Sequence, residues 1–113
     1  MPGFFRAFFL RTCFRGFCYN RLISEKIRQR IRFTGRVQGV GFRYTAQCAA
    51  RLNALTGWVH NEDDGSVLME IQGEKTSIDK MIGQIDSGTF IIIDTIEKTP
   101  LPLDEQERTF RVR

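Results

Sequence analysis

The chain has 113 residues, 42% of them hydrophobic, enough for one domain with a single core and too few for two domains of ordinary size. Residues 1–30 carry six Arg and one Lys against one Glu, whereas residues 31–113 carry ten basic against twelve acidic groups. The mildly acidic body argues against nucleic-acid binding by the body itself, and the longest charge-free stretch, Leu52 to Asn61, is about half of a membrane span.

Residues 1–27 form a basic extension. Six phenylalanines fall within residues 4–17, interleaved with Arg6, Arg11 and Arg15, and no acid precedes Glu25. The arginines interrupt any apolar run that a secretory signal would need. Three readings fit the composition: a poorly ordered extension, an organelle transit peptide, or an amphipathic segment for a membrane surface. The odd set Cys13, Cys18 and Cys48 argues against a disulfide framework and for a reducing compartment, hence a cytoplasmic default. Cys48 falls in a helical pattern, where a small buried or half-buried residue is expected.

From residue 28 the pattern becomes regular. Arg30-Ile31-Arg32-Phe33-Thr34-Gly35 alternates polar with apolar residues and predicts a half-buried strand, with Arg30, Arg32 and Arg36 on a solvated face. The loop Arg36-Val37-Gln38-Gly39-Val40-Gly41-Phe42-Arg43 follows. Its glycines let main-chain N–H groups converge on an anion at the start of a helix, and Arg43 adds a fork that matches phosphate oxygens. The loop lacks the Gly-Lys-Ser/Thr of a Walker motif and the third glycine of a dinucleotide fingerprint.

Phe42, Ala46, Ala49, Ala50 and Leu55 recur at helical spacing, and Thr56-Gly57 predicts the stop. Trp58 to Asn61 reads as a second strand, with Trp58 in the core or on a sheet face. Glu62-Asp63-Asp64-Gly65 is a hairpin turn whose acids are solvated rather than metal-ligating, and Ser66 to Gln72 is the returning strand, broken by Gly73. Ile78, Met81, Ile82 and Ile85 mark a second helix beginning near Thr76 and ending at Gly88. Phe90-Ile91-Ile92-Ile93 predicts a fully buried strand, Pro100 and Pro102 an irregular link, and Thr109 to Val112 a short last strand. The order β-α-β-β-α-β with a terminal strand is that of an α+β, ferredoxin-like sandwich, with an antiparallel sheet and two helices on one face.

Asn61, at the end of the second strand, is able by topology to face the glycine loop, and its amide can orient a water or donate to a phosphoryl oxygen. Alternation along the strand points His60, the only histidine, away from Asn61.

The segments Gly35-Arg36-Val37-Gln38-Gly39-Val40-Gly41-Phe42-Arg43 and Gly57-Trp58-Val59-His60-Asn61, the latter continuing through Asp64-Gly65-Ser66-Val67, resemble the two signature motifs of the acylphosphatases. The likeness extends over residues 28–113 and includes Phe110-Arg111-Val112. It implies hydrolysis of acyl phosphates to a carboxylate and inorganic phosphate, with neither metal nor other cofactor; separately, a monomer is expected. It also implies that Arg43 holds the phosphoryl group with the main-chain amides of Gln38, Gly39, Val40, Gly41 and Phe42, while Asn61 positions the attacking water. Asp86 to Ile93 departs from the family's Gly-Pro and charged residues, Tyr44-Thr45 varies a stretch that is often aromatic, and both bear on substrate preference and thermal stability.

An alternative is a non-catalytic phosphate- or carbamoyl-phosphate-binding module, as found at the start of larger hydrogenase-maturation proteins; the chain's end at Arg113 is expected to argue against a fragment of one. An RNA-binding sheet module would need exposed aromatics on its central strands, which the body does not offer.

Overall fold

The computed structural model describes residues 25–88 and 90–113. The expectations for residues 1–24 lie outside the described residues. The elements are β1 (Lys26–Arg36), α1 (Phe42–Leu52), β2 (Thr56–Asn61), β3 (Val67–Glu74), α2 (Lys75–Asp86), β4 (Ile92–Leu101) and β5 (Phe110–Val112). They form one five-stranded sheet in the order β4-β1-β3-β2-β5. The β1/β3, β1/β4 and β2/β3 pairs are antiparallel, and β5 joins β2 in parallel, which makes the sheet mixed at that edge. Helix α1 packs over β2 and β5, α2 over β3, and the helices touch one another. This is the ferredoxin-like α+β arrangement.

Period-2 burial builds the core. Ile31 and Phe33 of β1, Val59 of β2, and Val67, Met69 and Ile71 of β3 are fully buried under Phe42, Ala46 and Ala50 of α1 and Ile78, Met81 and Ile85 of α2. Phe33 and Phe42 meet as a tilted ring pair, centroids 4.9 Å apart, so the first residue of α1 is pinned to the middle of the sheet. The opposite face carries Arg28, Arg30 and Arg32. The first two are bound to Glu70, at 3.0 and 2.8 Å, and Arg28 also reaches Glu107 at 2.7 Å.

Local departures from the sequence pattern have local causes. Helix α1 ends at Leu52, ahead of Gly57, because Asn53 Nδ2 donates to the Ala49 carbonyl at 2.7 Å and Ala54 takes the left-handed conformation, φ 56°. Gly57 lies inside β2. Strand β3 continues through Gly73, where a Cβ would collide with the Leu55 side chain that covers it. Cys48 is exposed rather than buried, since it lies off the stripe Ala46, Ala49 and Ala50 that faces the sheet.

The largest correction concerns Phe90 to Ile93. Strand β4 is a sheet edge, so Ile91 and Ile93 turn inward while Phe90 and Ile92 are 67% and 54% exposed. Pro100 falls within this strand rather than in a link; an edge strand tolerates the missing donor.

Candidate active site

The loop between β1 and α1 is held at both ends. Val37 is fully buried beneath it and Phe42 anchors the helix start. Between them Gly39 and Gly41 adopt positive φ, 73° and 80°, and a Cβ on either would meet nothing within 4 Å. The glycines therefore serve backbone conformation and not space. Gly41 is the N-cap of α1, and neither a side-chain cap nor an acidic residue closes the first turn. Helix geometry leaves the N–H groups of that turn without intrahelical acceptors, so they present positive potential to the loop.

Asn61 is the last residue of β2. With Gly57 and Val59 it shares the face toward the helices, and its Oδ1 is buried with no hydrogen-bond partner among the described residues. A buried acceptor without a donor is uncommon and marks a position awaiting one. Asn61 and Arg43 line the same open concavity of about 470 Å³, together with Val37, Gly39, Gly41, Phe42, Tyr44, Gln47 and Val112. Two segments separated in sequence thus converge on one space, in which Arg43 is the only charged side chain among the described residues. Arg43 Nη1 also donates to the main-chain oxygen of Arg113 at 3.4 Å, which ties it to the end of β5.

Gln38 and Val40 of the loop do not line the concavity. Val40 packs against the core. The Gln38 side chain turns toward the β2–β3 turn, where Nε2 donates to the carbonyl oxygens of Glu62 at 2.7 Å and Ser66 at 2.8 Å. That turn is closed by Asp64, whose Oδ1 accepts from the Ser66 amide and hydroxyl, at 2.9 and 2.6 Å. These bonds to Ser66 hold the Asp64 carboxyl below its ordinary range. Asp64 is thus committed to the turn. His60 is on the opposite face from Asn61, exposed, and 3.7 Å from Glu62. Trp58 lies on that sheet face too, with the Arg113 guanidinium 4.3 Å from its ring centroid.

Gln47 and Val112 were not singled out as site residues in the sequence, and Tyr44 stood out only as a departure from the family pattern. Gln47 is legible from spacing, four residues after Arg43 on the same helix face. Val112 is not, because only the parallel pairing of β5 with β2 brings it there.

The sequence profile of the acylphosphatase family matches residues 29–112. The chain belongs to the acylphosphatase family. It is 43% identical to an acylphosphatase of Oceanobacillus iheyensis over 86 residues, 74% of this chain and 94% of that protein. The crystal structure of acylphosphatase from Bacillus subtilis superimposes with a TM-score of 0.71 at 34% identity, over 77% of this chain and 98% of that one. Full-length HypF in a phosphate- and nucleotide-bound form matches with a TM-score of 0.71 at 26% identity, over 83% of this chain and only 12% of its own. Acylphosphatases are hydrolases that act on acyl phosphates, and membership gives this protein that activity. None of the described helices is long and apolar enough to cross a membrane.

Proposed function

We propose that Arg43 and the main-chain N–H groups of residues 38–42 hold the phosphoryl group of an acyl phosphate while Asn61 positions the water that attacks it. The unpartnered Oδ1 of Asn61, buried in the wall of the concavity that Arg43 lines, carries this reading. That oxygen accepts one hydrogen of the water and aims its lone pair at phosphorus. The bond between phosphorus and the bridging oxygen breaks, the carboxylate departs with the electron pair, and the water's proton is released with inorganic phosphate. A carboxylate is a good leaving group, so the step needs charge stabilisation and alignment more than a strong base.

Among the described residues the lining holds no carboxylate, thiol or imidazole, and in this reading Arg43 and the helix start meet the charge on the phosphoryl oxygens. One chain supplies every group in the set, in keeping with a monomer acting on a small molecule. Residues 28–113 are the working domain, joined by Lys26 and Ile27 as the first residues of β1, and the residues before them are an extension outside the chemistry.

The test is phosphate release from benzoyl phosphate in the presence of EDTA, comparing the full chain with Arg43→Ala. Turnover lost in the variant supports the assignment; turnover that needs added Mg²⁺ overturns its metal independence. Phosphate binding without turnover would favour the non-catalytic module, a reading that the likeness to part of HypF supports.

A further inference from the structure

A second concavity, of about 330 Å³, opens where the link between β4 and β5 runs beside Trp58 of β2. No described residue lines both this space and the one that holds Arg43 and Asn61. Buried polar groups fasten the link to the open sheet face. Gln72 donates to the Asp104 carbonyl at 3.0 Å and accepts from the Asp104 amide at 2.7 Å, while Arg28 pairs with Glu107 at 2.7 Å. Three guanidinium groups from separate backbone positions border the space: Arg108 in the link, Arg111 in β5 and Arg113 just beyond it. Alternation along β5 leaves Arg111 and Arg113 on the face of Trp58, which is the register partner of Arg111.

Two of the three cations are held in place. Arg108 Nη1 donates to the main-chain oxygens of Glu105 and Glu107, at 2.7 and 3.3 Å, and the Arg113 guanidinium lies over the Trp58 ring. The Arg111 side chain has no hydrogen-bond partner among the described residues. None of the three is in an ion pair among those residues. The carboxylates at the same place are engaged elsewhere, Glu107 with Arg28 through both oxygens and Asp104 with the Gln106 amide. Three unpaired guanidiniums around one concavity repel one another and favour a ligand with several negative charges, and each planar fork matches phosphate oxygens. The positive ground is one pocket edged by Asp104 and Glu107 and not a continuous track, which suits a short phosphate chain over a nucleic-acid strand. We propose that Arg108, Arg111 and Arg113 form a second anion site that takes an oligophosphate, the di- or triphosphate chain, free or carried by a nucleoside. The site is independent of the roles proposed above for Arg43 and Asn61.

Trp58 is the only tryptophan of the chain, and the cation on its ring belongs to the proposed site, so its fluorescence reports occupancy. The test titrates the full chain with inorganic tripolyphosphate at constant ionic strength, following Trp58 emission and the heat of binding. Saturable binding is expected, and it is expected to persist in Arg43→Ala, which disables the glycine-loop site. Arg111→Ala and Arg108→Ala, both at exposed positions, are each expected to raise Kd about tenfold, as for loss of one charged hydrogen-bonding group. ATP in place of tripolyphosphate distinguishes the two sources. Equal affinity means that the phosphate chain alone is read, and tighter binding of ATP means that the nucleoside adds a contact. Absence of saturable binding by both readouts at millimolar tripolyphosphate overturns the site, as does a Kd unchanged in both Arg111→Ala and Arg108→Ala. Binding lost in Arg43→Ala would place the anion in the glycine loop instead. A short single-stranded oligonucleotide that binds more tightly than ATP would overturn the proposal in favour of a nucleic-acid surface.

Discussion

Gln38 donates its side-chain amide to the main-chain oxygen of Glu62 at 2.7 Å, one residue beyond Asn61, and so couples the glycine loop to the strand end that carries Asn61. The same nitrogen reaches Ser66 at 2.8 Å. Loop and hairpin are otherwise separate in sequence, and this bridge fixes the spacing between the two halves of the site. Gln38→Ala is expected to lower kcat about 10- to 100-fold, the range that follows from small misplacements of reacting groups. Its stability cost is expected to be near 1 kcal/mol, as for one lost hydrogen-bonding group. A variant with unimpaired kcat and an equally lowered Tm would reduce Gln38 to a structural tie.

Arg43 and Asn61 should separate function from stability in opposite senses. Arg43 is exposed, so Arg43→Ala is expected to move stability by no more than about 0.5 kcal/mol. Asn61→Ala removes a buried oxygen that has no donor, and its Tm is expected to stay level or rise. Both variants are expected to lose at least about 100-fold in kcat/KM. Thermal melts beside phosphate-release assays check the pair, and a large fall in the Tm of Asn61→Ala would show that its oxygen is satisfied in solution.

How far the sequence disclosed this arrangement depended on the kind of signal. The helical stripe Ile78, Met81, Ile85 and the alternation of β1 are periodic, and period is set by backbone geometry before any packing. Asn61 and the glycine loop stood out because their residue types suit one chemistry. Strand β4 misled because Phe90 to Ile93 is apolar throughout, and only the sheet order, β4 outermost, decides that half of it faces water. The same holds for Val112 and for the Gln38 bridge. These are pairings between distant segments, and no local pattern encodes register.

Gly41 has φ 80° and ψ 17° with open space above it. Gly41→Ala is therefore expected to cost about 1–2 kcal/mol purely from backbone strain, without any steric clash. For a domain of this size that corresponds to a Tm lower by roughly 4–8 °C per kcal/mol. Weaker phosphate binding is expected to accompany it, since the N–H groups on either side would shift, and calorimetric titration with inorganic phosphate reads this directly. An unchanged affinity would mean that the loop's amides do not carry the anion.

Glu70 links the open sheet face into one network, accepting from Arg28 at 3.0 Å and from Arg30 at 2.8 Å. Burial pushes its carboxyl up, but the hydrogen bonds from Arg30 and Arg28 outweigh this and hold it below the ordinary carboxylate value. A folded pKa below the unfolded one means that the unfolded chain binds the proton more readily. The stabilisation is then fully present above the unfolded value of about 4.3 and fades as pH falls through the lower folded value. Glu70→Gln keeps the shape and removes the charge, leaving Arg28, only 6% exposed, with Glu107 as its remaining ion-pair partner. It is expected to be less stable by about 1–3 kcal/mol at pH 7, somewhat below the cost of breaking a fully buried pair. The gap in Tm between the two proteins is expected to close as the pH drops below about 4, where the unaltered carboxyl also becomes neutral. Melting curves from pH 7 to pH 2.5 check this, and a gap that stays constant across that range would place the origin of the effect in packing and not in charge.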